Sequence, residues 1–268
     1  MTDIDLNFQH TSKPKRTAEA IAAARDASEA INIAIDDGIQ RGLKTDDTRR
    51  FNISPSGVGG ECMRQFQFQI TGVPSVLASR THRIFERGNL YEDVVAEWLR
   101  QGGFHLKTVD ENGQQFGFQL AKGNIRGRID GIILDGPKIR DVEYACLWEC
   151  KVLGDKGWKN LVAKGVFEAY PKYAAQIALY QAYKELETPA MLTALNINTM
   201  ELHHEMVPFN QELAQRMSDR AVDVLIACQT NTLMERAGGS PDGYPCRFCD
   251  FSDHCWNDGG LGPKRPAR

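Results

Sequence analysis

Two acidic residues and one lysine mark the place in this sequence where chemistry is most readily built. In the segment Ala145–Leu153, Glu149 and Lys151 stand two positions apart. On a strand such residues point to one face, so Cys146, Trp148, Cys150 and Val152 take the other. One face is then greasy and the other charged. Desolvating a charge pair in so apolar a strand costs on the order of several kcal/mol unless the pair is satisfied or binds an ion. Upstream, Arg126-Gly127-Arg128-Ile129-Asp130-Gly131 offers a third charged candidate, Asp130. Oxygen ligands of this type suit a hard divalent cation, so Asp130 and Glu149 are candidates to share one. A Glu-x-Lys pair taken alone fits a cross-strand or edge salt bridge equally well.

The elements around these residues must bring them together. A strand over residues 125–134, a turn at Asp135-Gly136-Pro137 and the strand 145–153 make adjacent strands of a meander that also includes strands over 104–109 and 115–120. Ahead of them, Leu90, Val94, Val95, Trp98 and Leu99 recur at helical spacing between Glu86 and Gln101, and Gly102-Gly103 ends that helix. A helix over 173–186, two strands within 191–207 and a helix from Gln211 to about Arg236 follow. This order predicts an α/β (α+β) fold: a central mixed sheet covered by helices. The helix at 173–186 carries Gln176 and Tyr180 one turn apart, fit to face the sheet either as packing or as polar groups.

Asp130, Glu149-x-Lys151 and the Gln176/Tyr180 helix together resemble the PD-(D/E)XK nuclease superfamily, in particular its RecB-like and phage exonuclease branches, over roughly residues 51–256. The resemblance implies a restriction-endonuclease-like fold and metal-dependent cleavage of DNA. It adds Glu92, in Arg87-Gly88-Asn89-Leu90-Tyr91-Glu92, as an acidic ligand on the helix before the sheet. Many relatives have His directly before that Glu, whereas Tyr91 stands here. On this pattern Glu92, Asp130 and Glu149 bind Mg²⁺ or Mn²⁺, with the Cys150 carbonyl as a further ligand. Lys151 then positions or deprotonates the attacking water, and Gln176 and Tyr180 orient the lysine or the phosphate. The implied partners are DNA ends and a recombination or repair protein, in phage or prophage recombination, repair or CRISPR-type adaptation. A catalytically silent DNA-binding or scaffold module with the same fold is the competing reading.

The chain closes on Cys246-x2-Cys249-x5-Cys255, while Cys62 stands alone near residue 51, where the main domain begins. This one-plus-three pattern resembles the iron–sulfur nucleases among CRISPR-associated RecB-like and AddB-type proteins, and implies a [4Fe–4S] cluster on Cys62, Cys246, Cys249 and Cys255. Structural Zn²⁺ on the same thiolates is the alternative. Cys146, Cys150 and Cys228 read as core residues, and His254 as a bystander.

The 268 residues, 42% hydrophobic and 25% charged, suit one generous core or two modest ones. An N-terminal start without a basic, apolar leader predicts a cytoplasmic protein with no membrane partner. That compartment disfavours a disulfide framework for the seven cysteines. The net charge of −3 excludes an overall basic coat but not local DNA contacts, for which Arg126, Arg128, Lys156, Lys159 and Lys164 are candidates. The expected organisation is an N-terminal helical arm and linker over 1–50, the catalytic domain over 51–256 and a flexible basic tail over 257–268.

Overall fold

A computed structural model describes residues 17–45, 52–75, 78–120 and 125–262. The chain forms two units, Met1–Asp47 and Thr48–Arg268. The first contains α1 (Ala18–Thr45), a 28-residue alanine-rich helix. Alanine-rich composition favours the helix, while Ile21, Ile31 and Ile35 along it are exposed.

The second unit begins with two short helices, α2 (Pro55–Val58) and α3 (Met63–Ile70), and the long α4 (Ser79–Gln101). It continues through β1 (Leu106–Lys107), β2 (Gly117–Leu120), β3 (Ile125–Arg128), β4 (Gly131–Ile133) and β5 (Cys146–Leu153). Helices α5 (Asp155–Ala169) and α6 (Pro171–Lys184) then lead to β6 (Ala190–Asn196), β7 (Leu202–Val207) and α7 (Gln211–Gln229). A 3-10 turn at Cys246–Phe248 and α8 (Ser252–Trp256) complete the described chain.

Five strands form one sheet in the order β1-β4-β5-β6-β7. Its pairs are antiparallel except β5 with β6. That parallel step follows from connectivity, because α5 and α6 carry the chain back to the sheet's starting end. Both faces of β5 are covered. Leu147 and Leu153 pack with Leu161, Ile177 and Leu192 beneath α5 and α6. Cys146, Trp148 and Cys150 pack with Val95, Leu99 and Met191 beneath α4. This is a mixed α/β fold of restriction-endonuclease-like architecture, a central sheet flanked by helices.

The expected continuous strand over 125–134 is broken into two. β3 pairs with β2 in a separate two-stranded ribbon, and Ile129 N–H still donates to the Phe116 carbonyl at 3.0 Å. β4 then joins β5 in the main sheet. The expected meander is therefore corrected to a five-stranded sheet plus a ribbon. With the strand broken at Asp130, Arg126 and Arg128 belong to the ribbon and are exposed on it. Gly131 permits the turn onto β5: a Cβ there would lie 2.7 Å from Leu106 Cδ1 and 2.9 Å from the Lys107 carbonyl oxygen.

Helix bounds also differ from the expectations. α4 begins at Ser79 rather than Glu86, and its Leu90 and Trp98 are exposed where the apolar stripe placed them inward. α7 stops at Gln229, short of Arg236, and α2, α3 and α5 lay within segments not read as helical. No helix among the described residues is long and apolar enough to cross a membrane. Residues 263–268 of the expected tail lie outside the described residues.

Candidate active site

Asp130 sits at the point where β4 leaves β5. The register pairs Gly131 with Trp148, so one further step sets Asp130 opposite Glu149. Beyond Gly131 the ladder ends, and the Cys150 N–H on β5 has no β4 carbonyl to meet. Asp130 Oδ2 accepts it instead, at 2.8 Å. The break in the strand is thus what turns this carboxylate toward β5.

Glu149 is fully buried beneath α6. Its Oε1 accepts a hydrogen bond from the Lys151 ammonium and another, at 2.7 Å, from Gln176 Nε2. Gln176 Nε2 also lies 3.2 Å from the Tyr180 hydroxyl. The two helix residues therefore do more than pack: they form a polar chain from α6 to Glu149. The second oxygen, Glu149 Oε2, is buried without a hydrogen-bond partner. A buried carboxylate oxygen left bare costs on the order of 1–3 kcal/mol, and such an atom calls for an explanation in terms of an ion, water or substrate.

Electrostatics place Glu92 in the same neighbourhood. Burial, then the Asp130 carboxylate, push Glu92 up to about 7, against a pull down from Lys151. Burial and the same Asp130 push Glu149 up to about 8, although Lys151 lowers it. Asp130 is itself raised by burial, offset by Lys151 and by the Cys150 N–H. Burial lowers the Lys151 pKa, but Glu149 and Asp130 outweigh it and hold the ammonium protonated. Three carboxylates thus gather around a single cationic group, an excess of negative charge that a divalent cation would neutralise. Among the described residues, no three His, Cys, Asp or Glu side chains stand as a ready-made metal cage. In this arrangement the carboxylates are engaged by Lys151, the Cys150 N–H and Gln176.

Tyr91, before Glu92, is half-buried and packs against the Trp148 cluster beneath α4. No motif in the sequence marks Tyr173, although it lies one turn before Gln176 on the same helix face. Its ring centroid is 5.1 Å from Lys151 Nζ. Lys159 and Lys164 form surface ion pairs with Asp155 and Glu168 along α5, at 2.8 Å each.

The second candidate site lies in the cysteine-bearing end. Cys62, at the start of α3, and Cys246, Cys249 and Cys255 line one cavity with Phe68, Arg236 and Trp256. Burial, with Cys62, Asp250 and Cys246 nearby, raises the Cys249 thiol pKa, partly offset by a backbone N–H. Arg236 Nε donates to Cys255 Sγ at 3.4 Å, and its Nη2 to the Cys255 carbonyl at 2.7 Å. Arg64 approaches the same sulfur at 4.0 Å. Nothing in the spacing of Arg64 and Arg236 announces this. Four soft donors line one cavity, a set whose chemistry suits a thiolate-bound metal, although they too do not stand as a ready-made cage. His254 turns away from this group and bonds the Gly260 carbonyl at 2.7 Å. Cys146 and Cys150 are buried in the core, and Cys228 packs at the edge of the α3–α7 cluster.

No protein-family model matches this chain, and no curated protein does. Among solved structures it is similar to an alkaline exonuclease, LHK-Exo, from Laribacter hongkongensis, with a TM-score of 0.48 and 13% identity over 68% of this chain and 90% of that one. The same enzyme in complex with dAMP aligns at 0.46 and 12%, with the same coverage. A protein described as SSO0001 aligns at 0.44 and 14%, over 84% of this chain and 96% of its own.

Proposed function

We propose that the protein is a divalent-metal-dependent deoxyribonuclease, an exonuclease that hydrolyses phosphodiester bonds at DNA ends in recombination, repair or CRISPR-type adaptation. The observation that carries this reading is Glu149: a fully buried carboxylate with one bare oxygen, facing Asp130 and bonded to Lys151. A protein that only binds or scaffolds has no physical use for that cost on its central strand.

In this reading Glu92, Asp130 and Glu149, with the Cys150 carbonyl, hold Mg²⁺ or Mn²⁺. When bound, the cation offsets phosphate charge and makes a nearby water more acidic. Lys151 orients that water and donates to the negative charge developing on the phosphate oxygens. Gln176 fixes the rotamer of Glu149 through its amide, and Tyr180 holds Gln176 in turn. Asp130 is fixed by the Cys150 N–H, so the ligand set is mounted on β5 and its neighbours rather than on loops. Cys62, Cys246, Cys249 and Cys255 hold a [4Fe–4S] cluster, or Zn²⁺ in its place, joining α3 to the far end of the chain. Arg236 and Arg64 then oppose the negative charge of the thiolates.

The test is end-labelled single- and double-stranded DNA incubated with Mg²⁺ or Mn²⁺, comparing the wild type with Lys151→Ala. Release of nucleotides from the wild type, and loss of release by a factor of about 10²–10⁴ in the variant, is expected. Equal cleavage by both proteins refutes the assignment of Lys151. DNA binding without cleavage under either metal favours the scaffold.

A further inference from the structure

Lys151 has a second neighbour besides Glu149. The Tyr173 ring stands 5.1 Å from its Nζ, on the helix that also carries Gln176. Behind Tyr173 lies Tyr170, stacked on it at 4.8 Å between centroids and 20° between planes. Tyr170 is held by the start of α5, where its hydroxyl comes so close to Gly157 that a Cβ there would lie 2.5 Å away. Lys151, Tyr173 and Tyr170 thus form a column whose base is fixed by backbone and whose top is the ammonium.

From this column, and resting on the nuclease reading above, we infer that Tyr173 is a positioning residue that aims Lys151 once Glu149 is engaged by a divalent ion. The same Glu149 oxygen serves both Lys151 and Gln176. A cation held by this carboxylate would take most of Lys151's anionic partner and set a positive charge beside the ammonium. The Tyr173 face, whose quadrupole attracts an ammonium, is a contact that such a cation leaves in place. It confines a flexible four-carbon side chain, only 18% exposed, to the side of the site facing α6. Tyr170 keeps the ring from turning edge-on as that happens.

The attraction belongs to the ring and not to the hydroxyl. Tyr173→Phe is expected to keep kcat within about twofold of the wild type, and Tyr173→Leu to lower kcat about tenfold with KM unchanged. A second readout needs no DNA: the ε-methylene and ammonium signals of Lys151 in the Mg²⁺-saturated protein. In the wild type and Tyr173→Phe these protons are expected upfield of ordinary lysine positions, shielded by the ring, and in Tyr173→Leu at ordinary positions. Wild-type signals at ordinary positions in Mg²⁺, or an unchanged kcat in Tyr173→Leu, overturn the inference, and the wild-type spectrum suffices should the leucine variant fail to fold. A wild type that keeps the shielding but cuts no DNA overturns the nuclease reading and supports the ring contact.

Discussion

Removing divalent ions should make this protein less stable as the solution becomes more alkaline, over a window set by two carboxyls. Glu149 is raised to about 8 and Glu92 to about 7, each from an ordinary value of 4.5. A carboxyl raised in the folded state binds its proton more tightly there than in the unfolded chain. Its stabilisation is complete below the unfolded value and is lost as pH rises through the folded one. His204 works in the opposite sense, since burial, aided by His203, lowers its pKa. Its contribution is fully present once pH exceeds its ordinary value of 6.5. The diagnostic window is therefore about pH 6.5 to 8, where Glu149 and Glu92 titrate and the raised Asp130 acts in the same direction. Across it the coupled carboxyls together should remove on the order of 2 kcal/mol, Glu149 the larger share because its pKa lies higher. Urea denaturation followed by circular dichroism at several pH values, in chelator and in Mg²⁺, measures this. In chelator the unfolding free energy should fall across the window by about 2 kcal/mol, and Glu149→Gln should flatten most of that slope. Mg²⁺ should stabilise more at the alkaline end, because cation and proton compete for the same oxygens. A free energy that stays level or rises in chelator, or a Mg²⁺ effect independent of pH, would rule out this linkage between the buried carboxyls and stability.

Three further outcomes follow from single contacts. Gln176→Leu removes the donor to Glu149 and Tyr180 and should lower kcat about tenfold to a hundredfold with the fold retained, measured on end-labelled DNA beside a thermal melt. Cys249→Ala opens the four-thiolate set, and iron, sulfide and zinc analysis with a thermal melt should show loss of metal and a lowered midpoint; a variant with full metal content and stability excludes the role of this thiol. Gly57→Ala places a Cβ 2.4 Å from the Phe66 ring, and denaturant unfolding should register a loss of about 1–3 kcal/mol.

The sheet's central strand was legible in the sequence because its alternation is carried by one unbroken run, Cys146 to Leu153, with charge confined to two alternate positions. Gln176 and Tyr180 were legible as a pair because helical spacing alone puts them on one face, but not their hydrogen bond to Glu149, which depends on how α6 lies across the sheet. The split at Asp130 was hidden. Ile125 through Leu134 reads as one strand, and only the competing pairing of β3 with β2 divides it. α5 is not legible in the sequence because Gly157 and Gly165 interrupt its pattern. Gly165 breaks the helix at φ 71°, and Gly157 makes room for Tyr170. The exposure of Leu90 and Trp98 shows the limit of periodicity: apolar spacing gives a face, while the neighbour decides which part of it is covered. Tyr173 and Arg236 act through contacts between segments distant in the chain, which no local pattern records.

The measurement that bears most directly on the whole account is the location of Mn²⁺ by its anomalous scattering in crystals of the wild type and of Asp130→Asn. An ion between Asp130 and Glu149 within reach of Glu92 is expected in the wild type, and its loss or marked weakening in the variant. An ion bound elsewhere, or none at those carboxylates when the crystal is saturated with Mn²⁺, would contradict it.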